Sequence, residues 1–152
     1  MPRPSWDEYF LKLAVDVSTR STCLRRSVGA VAVIEKRLLA TGYNGAVRNA
    51  RHCDQTGCLR DQLHVPSGER HELCRATHAE QNCIAQAAMY GTALAGCTIY
   101  CTLQPCAICA KLMAQAGVSR IVYLDGYPDE LALAFLEEAG VQIEKGEIKS
   151  GS

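Results

Sequence analysis

The hydrophobic positions of the chain switch between helical and strand-like spacing, and this alternation predicts the order of its elements. A helix is predicted to begin after Ser5, which fits a capping box with Glu8. Its apolar face is expected to comprise Trp6, Phe10, Leu13, Ala14 and Val17. Residues 28–34 and 38–43 are apolar enough for strands, and the three-residue spacer 35–37 predicts an antiparallel hairpin between them.

Residues 44–76 follow the hairpin and are polar, without clear periodicity. A structureless loop of this length is uncommon inside a compact domain. The segment holds three cysteines and three histidines, so we expect a local organiser within it.

The remainder of the chain predicts helices and strands in turn. The predicted elements are a helix from His78 to about Tyr90 that stops at Gly91, a strand at 97–103, a helix from Cys106 to Ala116 ended by Gly117, a strand at 120–124, a helix that starts at Pro128 and Asp129 and ends at Gly140, and a short strand at 141–143. Strands joined by such helical crossovers pair in parallel. We therefore expect one α/β domain over residues 1–152, a three-layer α/β/α sandwich whose sheet of about five strands is mixed because of the first hairpin.

The composition adds expectations about where the protein is found and what it binds. No apolar run reaches the roughly 18 residues of a membrane span, and the start lacks the features of a signal peptide, so a soluble cytoplasmic protein is expected. Lys plus Arg and Asp plus Glu each total 16, and this balance argues against a nucleic-acid partner held by its phosphate backbone. A small anionic molecule would need only a local positive pocket.

Nine cysteines are many for 152 residues, and an odd number cannot pair fully within one chain. Without a secretory segment they are better interpreted as metal ligands, catalytic thiols or small buried hydrophobes than as disulfides. Cys83, Cys97 and Cys101 fall on predicted helix and strand positions and are expected in the core.

Cys106 and Cys109 begin a helix directly after a strand, where the helix N-terminus favours thiolates. His78 begins the preceding helix and would complete a three-ligand zinc site, which leaves a fourth position open for water, as catalytic sites do. Glu80 lies in the same first turn as His78, so it is placed to reach that water without binding the metal.

Three other interpretations of these residues explain less of the pattern. A closed structural zinc site would need a fourth protein ligand and has no use for Glu80. A thioredoxin-like redox pair would make His78 and Glu80 coincidental, and buried cysteines without metal would leave the whole pattern unexplained.

The pattern His78-Ala79-Glu80 with Pro105-Cys106-Ala107-Ile108-Cys109 resembles the H-x-E…P-C-x-x-C signature of zinc-dependent base deaminases. Over residues 8–143 the chain is similar to the deoxycytidylate (dCMP) deaminase family, including its ComE-type competence-operon members. The similarity is carried by residues 23–31, 41–45, 66–84, 105–117 and 127–140. The "GYNG" motif and the Cys-rich insertion at 44–76 narrow it to the dCMP branch.

This resemblance implies a cytidine deaminase-like fold and the hydrolysis of dCMP to dUMP and ammonia. Zinc would lower the pKa of a bound water toward about 7, and the resulting hydroxide would attack the amino-bearing carbon. Glu80 would move the proton of the water to the ring nitrogen and then protonate the departing ammonia.

The resemblance also implies that Asn44 of "GYNG" contacts the substrate, although an Asn-Gly pair is also a common turn. Arg26 is our candidate for the 5′-phosphate, because a guanidinium matches phosphate geometry. The alternative is that Arg26 is a solvated surface residue.

Some members of the family carry a structural zinc in the Cys-rich insertion. The candidate ligands here are Cys23, Cys53, His71 and Cys74, with Cys58 and His64 as substitutes. The alternative is reduced cysteines in an ordered loop, since no CxxC spacing supports the set. The family further suggests a homo-oligomer, a hexamer in many members, activated by dCTP and inhibited by dTTP.

Other functions than dCMP deamination are compatible with this sequence. A tRNA or other polynucleotide deaminase would need a surface for extended nucleic acid, which a neutral chain with one Trp and two Phe supports poorly. A non-catalytic competence accessory protein is expected to have lost catalytic residues, and none is missing here. Cytidine, deoxycytidine and other cytosine nucleotides remain alternative substrates.

Overall fold

The computed structural model describes residues 2–66, 69–70, 73, 76–126 and 129–149. The elements in chain order are α1 (Trp6–Ser18), β1 (Gly29–Ile34), β2 (Arg37–Tyr43), β3 (Gly45–Ala46), α2 (Cys53–Thr56), α3 (Leu59–Gln62), β4 (Ala76–Thr77), α4 (Ala79–Met89), β5 (Thr98–Leu103), α5 (Ala107–Gln115), β6 (Arg120–Asp125), α6 (Glu130–Glu138) and β7 (Gln142–Lys145). No helix in these ranges is both long and apolar enough to cross a membrane.

Five strands form the main sheet in the order β2-β1-β5-β6-β7. The strand β1 runs antiparallel to both β2 and β5, whereas β5, β6 and β7 pair in parallel through the crossover helices α5 and α6. The predicted mixed sheet of about five strands is confirmed.

Helices cover both faces of this sheet. Alternate residues of β1 point to opposite faces, so Ala30 and Ala32 pack with α4, α5 and α6, whereas Val31 and Val33 pack with α1. Cys83, Cys97 and Cys101 are fully buried in the larger cluster, as expected, and burial raises the pKa of each thiol. The three-layer α/β/α arrangement is confirmed.

The helix α1 begins as predicted, because the Ser5 hydroxyl accepts a hydrogen bond from the Glu8 backbone N–H at 3.2 Å. Its predicted apolar face is wrong in part. Leu11 is fully buried, whereas Trp6 is 52% exposed and stacks on Phe10 at the surface. The Glu8 carboxylate, the other partner in the predicted capping box, accepts a hydrogen bond from the backbone N–H of Lys149.

The first hairpin has a tighter turn than the predicted three-residue spacer. Arg37 already pairs with Ile34, so only Glu35 and Lys36 form the turn. Both have positive φ, at 49° and 63°, which is the backbone of a two-residue turn matched to the strand twist.

The insertion at 44–76 is held together at its ends by a small second sheet. The two-residue strands β3 and β4 pair antiparallel, Gly45 with Thr77 and Ala46 with Ala76. Between them lie the four-residue helices α2 and α3. Such short elements have no periodicity to detect, and so the sequence predicted none of them.

Candidate active site

The first turns of two helices meet beside the end of β5. His78 is the N-cap residue of α4, and its backbone N–H donates to Gln81 Oε1 at 2.9 Å. Cys106 is the N-cap residue of α5, and Cys109 lies in the first turn of that helix. The turn signals placed each helix start within a residue of its observed position.

The three candidate ligands are close enough to share one metal ion. The ligand atoms of His78, Cys106 and Cys109 all lie within 4.8 Å of one another. His78 Nδ1 is 3.2 Å from Cys109 Sγ and 3.6 Å from Cys106 Sγ. Tetrahedral zinc, with Zn–N of about 2.0–2.1 Å and Zn–S of about 2.3 Å, separates nitrogen and sulfur ligands by about 3.6 Å, so these side chains fit the ion.

Their electrostatics favour a negatively charged sulfur. A hydrogen bond from Cys109, with a further one from His78, lowers the pKa of Cys106 to about 3. The same contact with Cys106 raises the pKa of Cys109, and the hydrogen bond to Cys106 raises the pKa of His78. Since the thiolate is the form of cysteine that binds metal, one ligand is already prepared for a cation.

Glu80 lies in the wall of the cavity next to this cluster and is only 4% exposed. Burial raises the pKa of its carboxyl group, and a hydrogen bond from the Cys109 thiol opposes that rise. A raised pKa brings a carboxyl group closer to the range in which general acid–base catalysts operate.

The cavity has a volume of about 880 Å³, within the range of small-molecule sites. Its lining includes His78, Glu80 and Cys106. The remaining polar and charged residues of its lining are Cys23, Arg25, Arg26, Ser27, Asn44, Cys58, Arg60, Thr77, Thr102, Gln104, Asp125 and Asp129.

Asn44 is buried in the cavity wall, 8% exposed. Its Oδ1 accepts from the Val28 backbone N–H at 2.9 Å, and its Nδ2 donates to the Arg26 carbonyl at 2.8 Å. The side chain therefore ties the start of β1 to the end of β2. Nδ2 carries two hydrogens, and among the described residues the Arg26 carbonyl is the one acceptor for them, so one hydrogen is left over.

The three arginines of the cavity differ in burial and pairing. Arg26, the candidate from sequence, is exposed. Arg25 donates to Asp61 at 2.7 Å and to the Val65 carbonyl at 2.6 Å. Arg60 is 7% exposed, although it lies in the segment without periodicity. Sequence reasoning missed Arg25 and Arg60, since no spacing connects either of them with the zinc motif.

Asp129 was also missed as a residue of this site. Its Oδ1 accepts from the Ala132 backbone N–H at 3.1 Å, which caps α6. Its Oδ2 accepts from the Ala107 backbone N–H at 3.2 Å. One carboxylate thus fixes the first turn of α5, which carries both cysteine ligands, against the start of α6.

Only some of the predicted ligands of a second zinc lie within the described residues. His71 and Cys74 lie outside the described residues. Cys23 lines the cavity and is half-buried, and Cys53 is buried at the start of α2. The substitute Cys58 is buried and lines the same cavity, whereas His64 is exposed. The second site therefore stays a prediction.

Comparison with known proteins agrees with this geometry. The family model of the cytidine and deoxycytidylate deaminase zinc-binding region matches residues 4–125. The chain is 38% identical over 149 residues to ComE operon protein 2 of Bacillus subtilis, covering 97% of this chain and 75% of that protein. It is 40% identical over 146 residues to the deoxycytidylate deaminase of Saccharomyces cerevisiae, but spans only 45% of the yeast protein.

A solved structure is similar over nearly the whole chain. It is the dCMP deaminase from cyanophage S-TIM5 in complex with dCMP and dUMP, with a TM-score of 0.79 and 29% identity. The match covers 96% of this chain and 100% of the phage chain.

Proposed function

The chain belongs to the cytidine and deoxycytidylate deaminase zinc-binding family, and we propose that its reaction is the hydrolysis of dCMP to dUMP and ammonia. The observation that carries this proposal is the cluster of His78, Cys106 and Cys109 beside the buried Glu80, in a cavity that also holds arginines. The phage structure that resembles it holds dCMP and dUMP, which supports this choice among cytosine compounds.

His78, Cys106 and Cys109 would hold the catalytic zinc. When bound, Zn²⁺ acts as a Lewis acid that brings the pKa of a water toward 7. Glu80 would accept a proton from the attacking water and pass it to the ring nitrogen. It would then take the second proton, from the hydroxyl group added to the ring, and give it to the amino group, which leaves as ammonia. The burial of Glu80 supports this role, because burial raises the pKa of the carboxyl group toward the range that suits general acid–base catalysis.

Asn44 is proposed to contact the substrate through the amide hydrogen that its bond to Arg26 leaves over. Its two other hydrogen bonds fix the orientation of the amide, so the contact would need little reordering. Arg26 at the cavity rim remains the prediction from sequence for the 5′-phosphate.

The test is ammonia release by zinc-loaded protein incubated separately with dCMP, deoxycytidine, CMP and dCTP. We expect dCMP to be deaminated in preference to the others. Glu80→Gln should lower this turnover by about 10²–10⁴-fold, as for loss of general acid–base catalysis, with the zinc content unchanged. Glu137→Gln changes an exposed carboxylate of α6 and is the matched control.

The other outcomes reject defined parts of the proposal. Preference for deoxycytidine would keep the chemistry and reject the phosphate requirement. No turnover of any of the four, even with dCTP present as activator, would reject the function and favour a polynucleotide substrate or a non-catalytic role.

We also propose a second, structural zinc in the insertion, a homo-oligomer such as a hexamer, and control by dCTP and dTTP. These proposals rest on the family. Elemental analysis finding one zinc per chain would reject the second site. A monomer in size-exclusion chromatography would reject the oligomer, and a hyperbolic rate curve unaffected by either nucleotide would reject the control.

A further inference from the structure

Two guanidinium nitrogens in the cavity wall lack hydrogen-bond partners within the described part of the chain. They are Nη1 of Arg25 and Nε of Arg60, and both atoms are buried. Buried polar nitrogens are nearly always hydrogen-bonded in folded proteins. Both arginines line the cavity, so an anion bound there would compensate their charge.

Arg60 is the more unusual of the two. Arg60 is only 7% exposed. No carboxylate in the described ranges forms an ion pair with it. Arg120, by contrast, binds both Asp7 and Glu144. An unpaired buried cation destabilises the folded protein unless an anion compensates it.

The local structure holds Arg60 in this position. Its neighbour Asp61 accepts from Arg25, which ties α3 to the segment before β1. The Arg60 carbonyl accepts from the Val65 backbone N–H at 2.8 Å, and the Val65 carbonyl accepts from Arg25. Arg25 is thus partly used in bracing α3, whereas the Arg60 guanidinium is left for a ligand.

We infer that Arg60, assisted by Arg25, binds the 5′-phosphate of the nucleotide and imposes the phosphate requirement, in place of the exposed Arg26. This inference rests on the proposed function. The ring to be deaminated must lie against His78 and Glu80, and the phosphate is the anionic end of dCMP. Arg25 and Arg60 both line this cavity, and their guanidinium groups supply the charge and the planar donors that a phosphate dianion accepts.

The decisive variant is Arg60→Met, which keeps an apolar stem and removes the charge. The ratio of kcat/KM for dCMP to that for deoxycytidine should fall about 10- to 100-fold, the range for losing a hydrogen bond to a charged group. Arg51→Met is the matched control, because Arg51 is an exposed arginine of the same insertion outside the cavity lining. It should leave the ratio unchanged.

A binding measurement separates this inference from the proposed reaction. Calorimetry should show that Arg60→Met weakens dUMP binding while binding of deoxyuridine is nearly unaffected. If the wild-type protein deaminates neither substrate but Arg60→Met still loses dUMP selectively, the reaction is wrong and the phosphate site stands. Equal losses for dUMP and deoxyuridine would overturn the site.

Thermal melting excludes a merely structural role. Removal of an uncompensated buried cation should leave Tm unchanged or raise it, whereas a structural arginine should lower Tm and impair both substrates equally. If Arg60→Met does not fold, Arg60→Lys keeps the charge without the planar fork, and an unchanged ratio in that variant counts against the proposal. Weakened dCTP binding with intact dCMP turnover would place Arg60 at an effector site and also overturn it.

Discussion

Gly42 offers a sharp test of how the sheet positions the active site. It lies in β2, directly under α4, the helix that carries His78 and Glu80. A Cβ at this position would lie 2.2 Å from the Ala79 carbonyl oxygen and 2.4 Å from the Cys83 backbone nitrogen. Both obstacles are helix backbone, so Gly42→Ala cannot be accommodated by the movement of a side chain.

The magnitude follows from these distances. Ordinary contacts begin near 3.4 Å, so α4 must retreat from β2 by about an ångström. Overpacking of this kind costs about 1–3 kcal/mol. In a chain of 152 residues that lowers Tm by about 3–10 °C. A displacement of about 1 Å at catalytic groups also lowers the rate on the order of 100-fold.

Gly29→Ala is the matched control, because its Cβ would lie 2.1 Å from the Ala14 carbonyl oxygen in α1, which carries no site residue. Melting curves, zinc content and dCMP turnover of both variants separate the effects. Both should lose a similar amount of Tm, and only Gly42→Ala should also lose zinc affinity and turnover while folded. Equal activity of the two folded variants, or an unchanged Tm for Gly42→Ala, would refute the reasoning.

Two further predictions concern stability. The Arg120 guanidinium donates to both oxygens of Asp7 and holds its pKa below the usual 3.8, against the opposing effect of burial. A carboxyl group whose pKa is lowered in the folded state stabilises the fold above pH 4, and this stability is lost as the pH falls through the folded-state pKa. In denaturant unfolding, Asp7→Asn should therefore lower the free energy of unfolding by up to about 1 kcal/mol at pH 7 and by progressively less below pH 4. A difference that does not change with pH would contradict this. Glu35→Asn should raise the free energy of unfolding by up to about 1 kcal/mol, because asparagine tolerates the positive φ of 49° at the turn better than glutamate; an unchanged melting curve would count against it.

The elements that the sequence predicted well are those whose signals are local. The start of α1 at Ser5 and the ends of α4 and α5 near Gly91 and Gly117 depend on side chains a few residues apart. The prediction that Trp6 belongs to the buried face of α1 failed, because the spacing of apolar residues in a helix does not reveal how far the sheet beneath it extends. Its 52% exposure depends on tertiary packing, which the spacing of apolar residues along one helix does not report.

The same distinction explains the site. His78 and Cys106 were recognised because each begins a predicted helix within a short motif, H-x-E for one and P-C-x-x-C for the other, so the signal lies in adjacent residues. Asp129 was noted only as a helix start, yet its second oxygen binds the Ala107 backbone N–H, 22 residues earlier in the chain. A contact of that kind depends on how α5 and α6 pack, and no single-chain pattern reports it.

Different parts of the chain supply the residues that line the cavity. The metal ligands are fixed by the first turns of α4 and α5, whereas other lining residues come from the stretch before β1, the insertion and the stretch after β6. Arg60 belongs to the insertion, which is joined to the core by the two-residue ladder of β3 and β4 and by the Arg25–Asp61 pair. If Arg60 binds the phosphate as inferred, changes within the insertion should alter phosphate binding while the metal ligands keep their geometry. Under the proposals made above, substrate choice depends on residues of the insertion and of the stretch before β1, whereas the deamination chemistry depends on residues at the two helix starts.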